Sequence, residues 1–542
     1  MTSVPGEGDP PTVVLPPAAA WGVLLVASLG VLLAGAELMV VAIALPAIVV
    51  DFGGWADLGR ASWIVNGYLL AFVVAVPIAG RAADLWGARR LYVVALLLFA
   101  AGSLASGLAR LGGPDVGIAW LIAARVVQGL GGGALVPLSM ALASHLFAGR
   151  ARAAALGVEG AATFVGMAVG PAYGAWVLLN VAPPVPGLGV HPWQWIFLLN
   201  VPIALVVLLA IYVVAGGIET PRQTGGLDIP GALLATMVLV AGVGALSTAG
   251  ARGWADPVVL AGMALSALAI GLFILRERAA RAPLVRLGLF ASRAFSAANA
   301  VSLLTGYTLA TAIIGGPVFV NRVLNGGAEP SAVALSALTV AIAAGAIVGG
   351  LLTALAGERP VTVLGVAVTA VALWLAIGWQ TDTDLARLAR DLAIFGGGFG
   401  LTVSPRATAA VAIAGSTAYG VASAMLQLTR TVGMSIGLAL LTSLGQSRID
   451  ALSALVIDPS RRDALVVSLG HPEFVGVDPR NSFTLVDLLE RWSRGEAAEV
   501  LHLVLAIALG IALLTLIPAL LLPGRRAAPG LIPATRPVPP PR

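Results

Sequence analysis

The chain has 542 residues, 59% of them apolar and 11% charged, with a net charge of +5 and a mean hydropathy of +0.97. So large an apolar share points to lipid as the solvent. There is no cysteine and all 31 basic residues are arginine; this excludes a disulfide framework, a thiolate zinc site and a P-loop ATPase, whose lysine is missing.

In chain order, apolar segments of about 20 residues recur near 21–48, 61–79, 91–109, 117–147, 154–179, 195–215, 229–249, 257–275, 295–318, 331–356, 360–379, 388–410, 418–444 and 499–522, each long enough to cross a bilayer. The first run is too long for a signal-peptide core and follows no basic segment. The sequence therefore predicts an all-α integral membrane protein with 14 transmembrane helices. An even number puts both termini on one side, and arginine chooses it. With the termini cytoplasmic, inner loops hold seventeen arginines, Arg406 and Arg152 counted among them, and short outer loops hold six. The arginines form no single patch, so nucleic acid is not an expected partner.

Setting aside the pair at 229–275 leaves six helices on each side, an arrangement suited to internal symmetry. The expected division is a cytoplasmic tail at 1–20, a six-helix half at 21–215, an inserted helix pair with a basic connector at 216–294, a second six-helix half at 295–523, and a Pro-rich cytoplasmic tail at 524–542. Within the second half, 446–498 is polar enough to leave the membrane. It can fold as helical extensions outside, where it offers a surface to an extracytoplasmic partner.

Three motifs stand out. The turn between the second and third spans reads Gly80-Arg-Ala-Ala-Asp84-Leu-Trp-Gly87-Ala-Arg89-Arg90; its glycines allow a tight turn, and Asp84 can pair with an arginine or a helix amino terminus. The fourth span carries Arg125-Val-Val-Gln128-Gly129. Its Gly129-x-Gly131-x-x-Ala134 imitates a dinucleotide fingerprint, but no strand precedes it. The fifth span contains Gly166-Met-Ala-Val-Gly170-Pro171-Ala-Tyr-Gly174-Ala. Glycines four apart give one bare ridge for close helix approach, and Pro171 removes a backbone donor.

Together these strings resemble the major facilitator superfamily, and the fifth-span string resembles the antiporter motif of its fourteen-helix drug:proton branch. Ala36-Glu37-Leu-Met39…Ala44-Leu45-Pro46 is similar to that branch's Leu-Asp-x-Thr…Ala-Leu-Pro, with Glu37 in the aspartate's place and Met39 in the threonine's. The stretch 420–437 with the long 446–498 segment also resembles mycobacterial members linked to lipid export. The resemblance implies two six-helix halves plus an inserted pair. It also implies a bacterial cytoplasmic-membrane exporter of drug-like or lipidic molecules, driven by protons and without cofactor. In that fold the fifth and tenth spans face each other, so the ridge Gly166/Gly170 is expected to meet Gly345/Gly349. The corresponding second-half turn, 354–360, is degenerate.

Ionisable residues inside spans cost roughly 2.5–3.5 kcal/mol each near the bilayer centre, and four stand out: Glu37, Arg125, Glu159 and Arg430. Counting ~1.5 Å of rise per residue from opposite ends puts Glu37 and Arg125 within a turn of the same depth, so they can pair. Glu37 is expected to carry the proton, with Arg125 setting its affinity. Glu159 is a second carrier or a gate, and Arg430 a binding or gating cation. Asn66, Tyr68, Gln128, Phe164, Tyr307 and Gln427 are expected to line the substrate cavity. His145, His191, His471 and His502 are scattered, so neither a metal site nor an enzyme is expected. A non-transporting scaffold or receptor would leave the four buried charges unexplained.

Overall fold

A computed structural model of the chain describes residues 13, 15–52, 58–181, 190–223 and 225–524. Most of the amino-terminal tail and the Pro-rich tail beyond 524 lie outside them. Thirteen helical segments among the described residues are long and apolar enough to cross a membrane. In order, the first half is built from α1 (Pro17–Asp51), α2 (Leu58–Trp86), α3 (Ala88–Gly107), α4 (Gly113–Leu146), α5 (Gly149–Asn180), α6 (Pro192–Leu198) and α7 (Asn200–Val214). The pair α8 (Ile229–Arg252) and α9 (Pro257–Ala279) follows. The second half is α10 (Arg293–Arg322), α11 (Ala328–Ala356), α12 (Glu358–Ile377), α13 (Leu385–Leu401), α14 (Val403–Ala414), α15 (Tyr419–Ile457), α16 (Pro459–Ser468) and α17 (Phe483–Leu520).

Two predicted spans are interrupted, and the cause is the same in each. Proline at position i clashes with the carbonyl of i−4 and lacks the N–H that would bond to it. Pro202 lies four residues beyond Leu198, the last residue of α6, and Pro405 lies four beyond Leu401, the last of α13. The sixth span is therefore α6 plus α7, and the twelfth is α13 plus α14. Prolines 46, 77, 137, 171 and 317 are instead carried inside continuous helices.

Within the first half α1 packs on α5 and α4 on both α2 and α3; within the second, α11 packs on α13 and α10 on α15 and α17. The halves meet through α5 with α11 and α14, and through α15 with α2 and α4. The α8–α9 hairpin lies over the α2/α15 seam through α8, where Trp254 donates to Ser443 Oγ at 2.7 Å. Its base is held by Arg276, which donates to Asp228 at 2.8 Å and keeps that carboxyl below its usual range.

The expectation that the Gly166 ridge meets Gly345/Gly349 is overturned. Each ridge packs inside its own half. A Cβ on Gly170 would lie 2.5 Å from Ala36 O of α1, and Gly166 abuts Leu32 and Ala36. Gly345 and Gly349 abut Gly397 and Leu401 of α13. α5 and α11 do face each other, but through other glycines: Cβ atoms on Gly157 and Gly350 would lie 2.6 Å from Ala346 O and 2.7 Å from Ala153 O. Four-residue spacing defines a bare face; it does not name the helix that covers it.

The 446–498 segment is largely helical. α15 has 39 residues and α17 has 38, about 58 Å each at ~1.5 Å per residue, nearly twice a ~30 Å hydrocarbon core. Both therefore extend beyond the bundle at the end opposite Asp84. There they join α16 around a small core of Val466, Leu485 and Leu489, with Arg448 paired to Glu496.

Candidate functional site

Three buried polar assemblies stand between the helices. The first lies at the end of α2. The Asp84 carboxylate is buried and accepts the amides of Gly420 at 2.8 Å and Val421 at 3.1 Å, in the first turn of α15. Those amides have no intrahelical partner, and the helix dipole favours an anion there. Of the two partners open to Asp84, the structure uses the helix terminus, and that terminus belongs to the other half. Gly87 turns the chain at φ 94°, allowing Ala88 N to donate to Thr220 Oγ1 at 3.1 Å. Gly80 abuts Gly420 and Ala424. Arg89 is half-buried, and Arg90 sits 3.9 Å from Glu219.

Gln223, in the strand of chain leading to α8, was not marked by any sequence motif. It bridges both halves. Its backbone N–H donates to Asp84 O at 2.7 Å, its Oε1 accepts from Arg81 at 2.5 Å and Arg286 at 2.6 Å, and its Nε2 donates to Thr417 O. Nearby, Tyr419 lies between the His145 ring, 4.9 Å away, and the Arg152 guanidinium, 5.1 Å away, and Ser404 donates to Ala153 O at 2.6 Å. Arg152 is thus buried at this seam and is not a free loop charge. The matching second-half turn has no such cross-half role: Arg359 donates to Leu522 O at 2.8 Å, tying α12 to the end of α17.

The second assembly is the pair that depth counting predicts. Arg125 Nη1 donates to Glu37 Oε1, and both side chains are 1% exposed, so each charge depends on the other. The break after Leu198 places Asn200 at the start of α7, where Nδ2 donates to Glu37 Oε2 at 2.8 Å. Arg125 also donates to Gln128 Oε1 at 2.6 Å and Ile64 O at 3.2 Å, and Gln128 passes the chain to Ser103 at 2.6 Å. The guanidinium lies 4.1 Å from the Tyr68 ring centroid and 5.5 Å from that of Phe197, close enough for cation–π attraction. Tyr68 and Gln128 are therefore enclosed around Arg125 rather than lining an open cavity, which corrects their expected placement. Asn66 is half-buried on α2.

The third assembly lies between the halves. Glu159, Thr163, Ser302, Arg406, Gln427 and Arg430 line one cleft. Glu159 is buried, not extended to the surface; Ser28 Oγ donates to its Oε1 at 3.1 Å. Arg430 donates to Gln427 Oε1 at 2.5 Å and stands 5.5 Å from the Phe164 ring, which packs edge-on against Phe399. Tyr307 is buried in the adjoining core with its hydroxyl unpartnered among the described residues. Arg406 is not an inner-loop arginine, contrary to expectation. It is buried on α14, donates to Thr305 Oγ1 at 2.6 Å and lies 5.3 Å from Phe399. The signal was Pro405, which restarts the helix and carries Arg406 inward with it.

Among the described residues no group of three or more His, Cys, Asp or Glu side chains could hold a metal ion. Residues 27–438 match the family described as the Major Facilitator Superfamily. A triacylglyceride transporter of Mycolicibacterium hassiacum is 33% identical over 72% of this chain and 72% of its own length. A second triacylglyceride transporter, of Mycobacteroides abscessus, is 31% identical over 81% of this chain and 86% of its own. A multidrug transporter of Bacillus subtilis is 29% identical over 76% and 72%. Among solved structures, a proton:xylose symporter aligns with a TM-score of 0.55 at 13% identity, over 90% of this chain and 95% of its own. A human organic anion transporter aligns with 0.54 at 16%, over 91% and 100%. With this fold, these buried charges and these relatives, the chain belongs to the Major Facilitator Superfamily as a multi-pass membrane transporter.

Proposed function

We propose that this transporter exports hydrophobic or amphipathic small molecules in exchange for protons, by alternating access between its two halves, with both termini cytoplasmic. The observation that carries the reading is the buried Glu37–Arg125 pair. A carboxylate enclosed among helices cannot stay charged without its arginine. Any motion that parts the two makes protonation the cheaper state, and their return expels the proton. Glu159 is a second protonatable group, placed where the halves meet. The Asp84 clasp on α15 holds the bundle closed at its own end, which is the cytoplasmic one in this reading.

The relatives favour a lipidic cargo as a second reading. Three mycobacterial triacylglyceride transporters are 30–33% identical to this chain over 72–81% of its length. The drug and lipid readings separate in everted membrane vesicles supplied from the outside with a fluorescent dye, a cationic drug or a triacylglyceride, with and without an imposed proton gradient. Gradient-dependent uptake of any of the three supports proton-coupled export and names its cargo class. Uptake that ignores the gradient for all three contradicts it.

A further inference from the structure

The cleft between the halves holds more positive charge than the chain neutralises. Arg406 is 3% exposed and Arg430 has its Nε buried without a partner. Among the described residues neither guanidinium lies within ion-pair distance of a carboxylate. The Glu159 carboxylate shares the cleft but pairs with neither, and its Oε2 is buried without a hydrogen-bond partner. Each guanidinium offers five N–H donors in a planar fork. The bonds described use one for Arg406, to Thr305, and one for Arg430, to Gln427. Two desolvated cations, neither paired with a carboxylate, are costly unless something else brings negative charge.

The rest of the lining says what else that ligand carries. Val136, Met140, Gly160, Val403, Ala407 and Leu426 complete the cleft, and Phe164 and Phe399 stand behind the two arginines. A small hydrated anion would gain nothing from these walls. The cleft as it stands has a volume of only about 30 Å³, so an amphipath enters as the halves part; its chain would then bury against these walls while its head took the forks, since guanidinium matches planar carboxylate and phosphate oxygens in pairs.

We propose that the Arg406/Arg430 cleft binds the anionic head of an amphipathic substrate, a carboxylate or phosphate carried on an apolar chain. Ionised Glu159 competes with that head for the same arginines. The proposal rests on the export reading above for its place in a transport cycle, but its binding chemistry stands apart from proton coupling.

The test uses the purified full chain in nanodiscs of zwitterionic lipid, with binding to empty nanodiscs subtracted. Decanoate, decyl phosphate, decanol, decyltrimethylammonium and inorganic phosphate are titrated calorimetrically. Decanoate and decyl phosphate should bind at least tenfold more tightly than decanol or the ammonium amphipath, and inorganic phosphate at least tenfold more weakly than decyl phosphate. Arg406→Gln and Arg430→Gln should each remove the preference for anions and leave decanol binding within twofold, whereas Arg430→Lys should keep part of it. The proposal is overturned if the ammonium amphipath binds as well as decanoate, or if inorganic phosphate matches decyl phosphate. It is also overturned if both glutamine variants, with unchanged melting temperature, keep the wild-type ranking. Should the glutamine variants not fold, the wild-type ranking alone decides. No gradient enters this assay, so a transporter that binds anions but ignores protons, or the reverse, is recognised as such.

Discussion

Asp84 accepts the backbone amide of Gly420 across the boundary between the halves at 2.8 Å. A carboxylate on the last turn of α2 thereby caps a 39-residue helix of the other half. Opening this end of the bundle uncovers two α15 amides and strips Asp84 of its ligands in one movement. Asp84→Asn should remove about 1 kcal/mol of closure, a typical capping and dipole contribution, or roughly a fivefold population shift. Because the chain has no cysteine, a spin-label pair at Trp86→Cys and Ser416→Cys would report it cleanly as growth of a long-distance population.

Gln223 makes a prediction the superfamily turn alone would not. Its side chain joins Arg81, Arg286 and Thr417, so the linker to the inserted pair braces the clasp. Gln223→Ala should enlarge the same long-distance population, by about 1.5–3 kcal/mol per hydrogen bond lost from a charged donor, with little change in melting temperature. An unchanged distance distribution would show the linker to be a bystander.

The glycine substitutions divide by partner. Gly170→Leu places bulk against Ala36 within the first half and should destabilise the fold by at least ~1–3 kcal/mol, read as a lower melting temperature. Gly157→Leu places bulk against Ala346 and Gly350 of the other half. It should hold the Asp84 end apart, raising the long-distance population while melting stays closer to wild type. Equal behaviour of the two variants would contradict the assignment of partners.

Arg125→Ala strands a buried carboxylate and should cost about 3–5 kcal/mol. Removing the charge as well, in Arg125→Ala with Glu37→Gln, should restore much of that loss. The double-mutant cycle in thermal stability measures the coupling; additive losses would mean the two side chains do not depend on each other.

The sequence made the Glu37–Arg125 pair legible because helix rise is constant and depth can be counted from both ends. Asn200 and Arg406 were harder, since each is placed by a proline four residues beyond a helix end. That signal was present in Pro202 and Pro405, but it reads first as a helix stop. The glycine ridges showed which faces were bare and not what covered them. Gln223 lies in a polar connector, where one-dimensional pattern carries no information about the two turns it crosses. The clasp residue Asp84 was visible in its motif, while its partner, a helix terminus 336 residues away, has no side-chain signature.

Glu37 is the proposed proton carrier. Its most direct test is substrate uptake into everted vesicles carrying wild type or Glu37→Gln at equal expression, with the proton gradient imposed and then collapsed. Wild-type accumulation should fall to the equilibrium level on collapse, while Glu37→Gln should show only the equilibrium level in both conditions. Glu37→Gln accumulating substrate against its gradient, with wild-type dependence on protons, would contradict it.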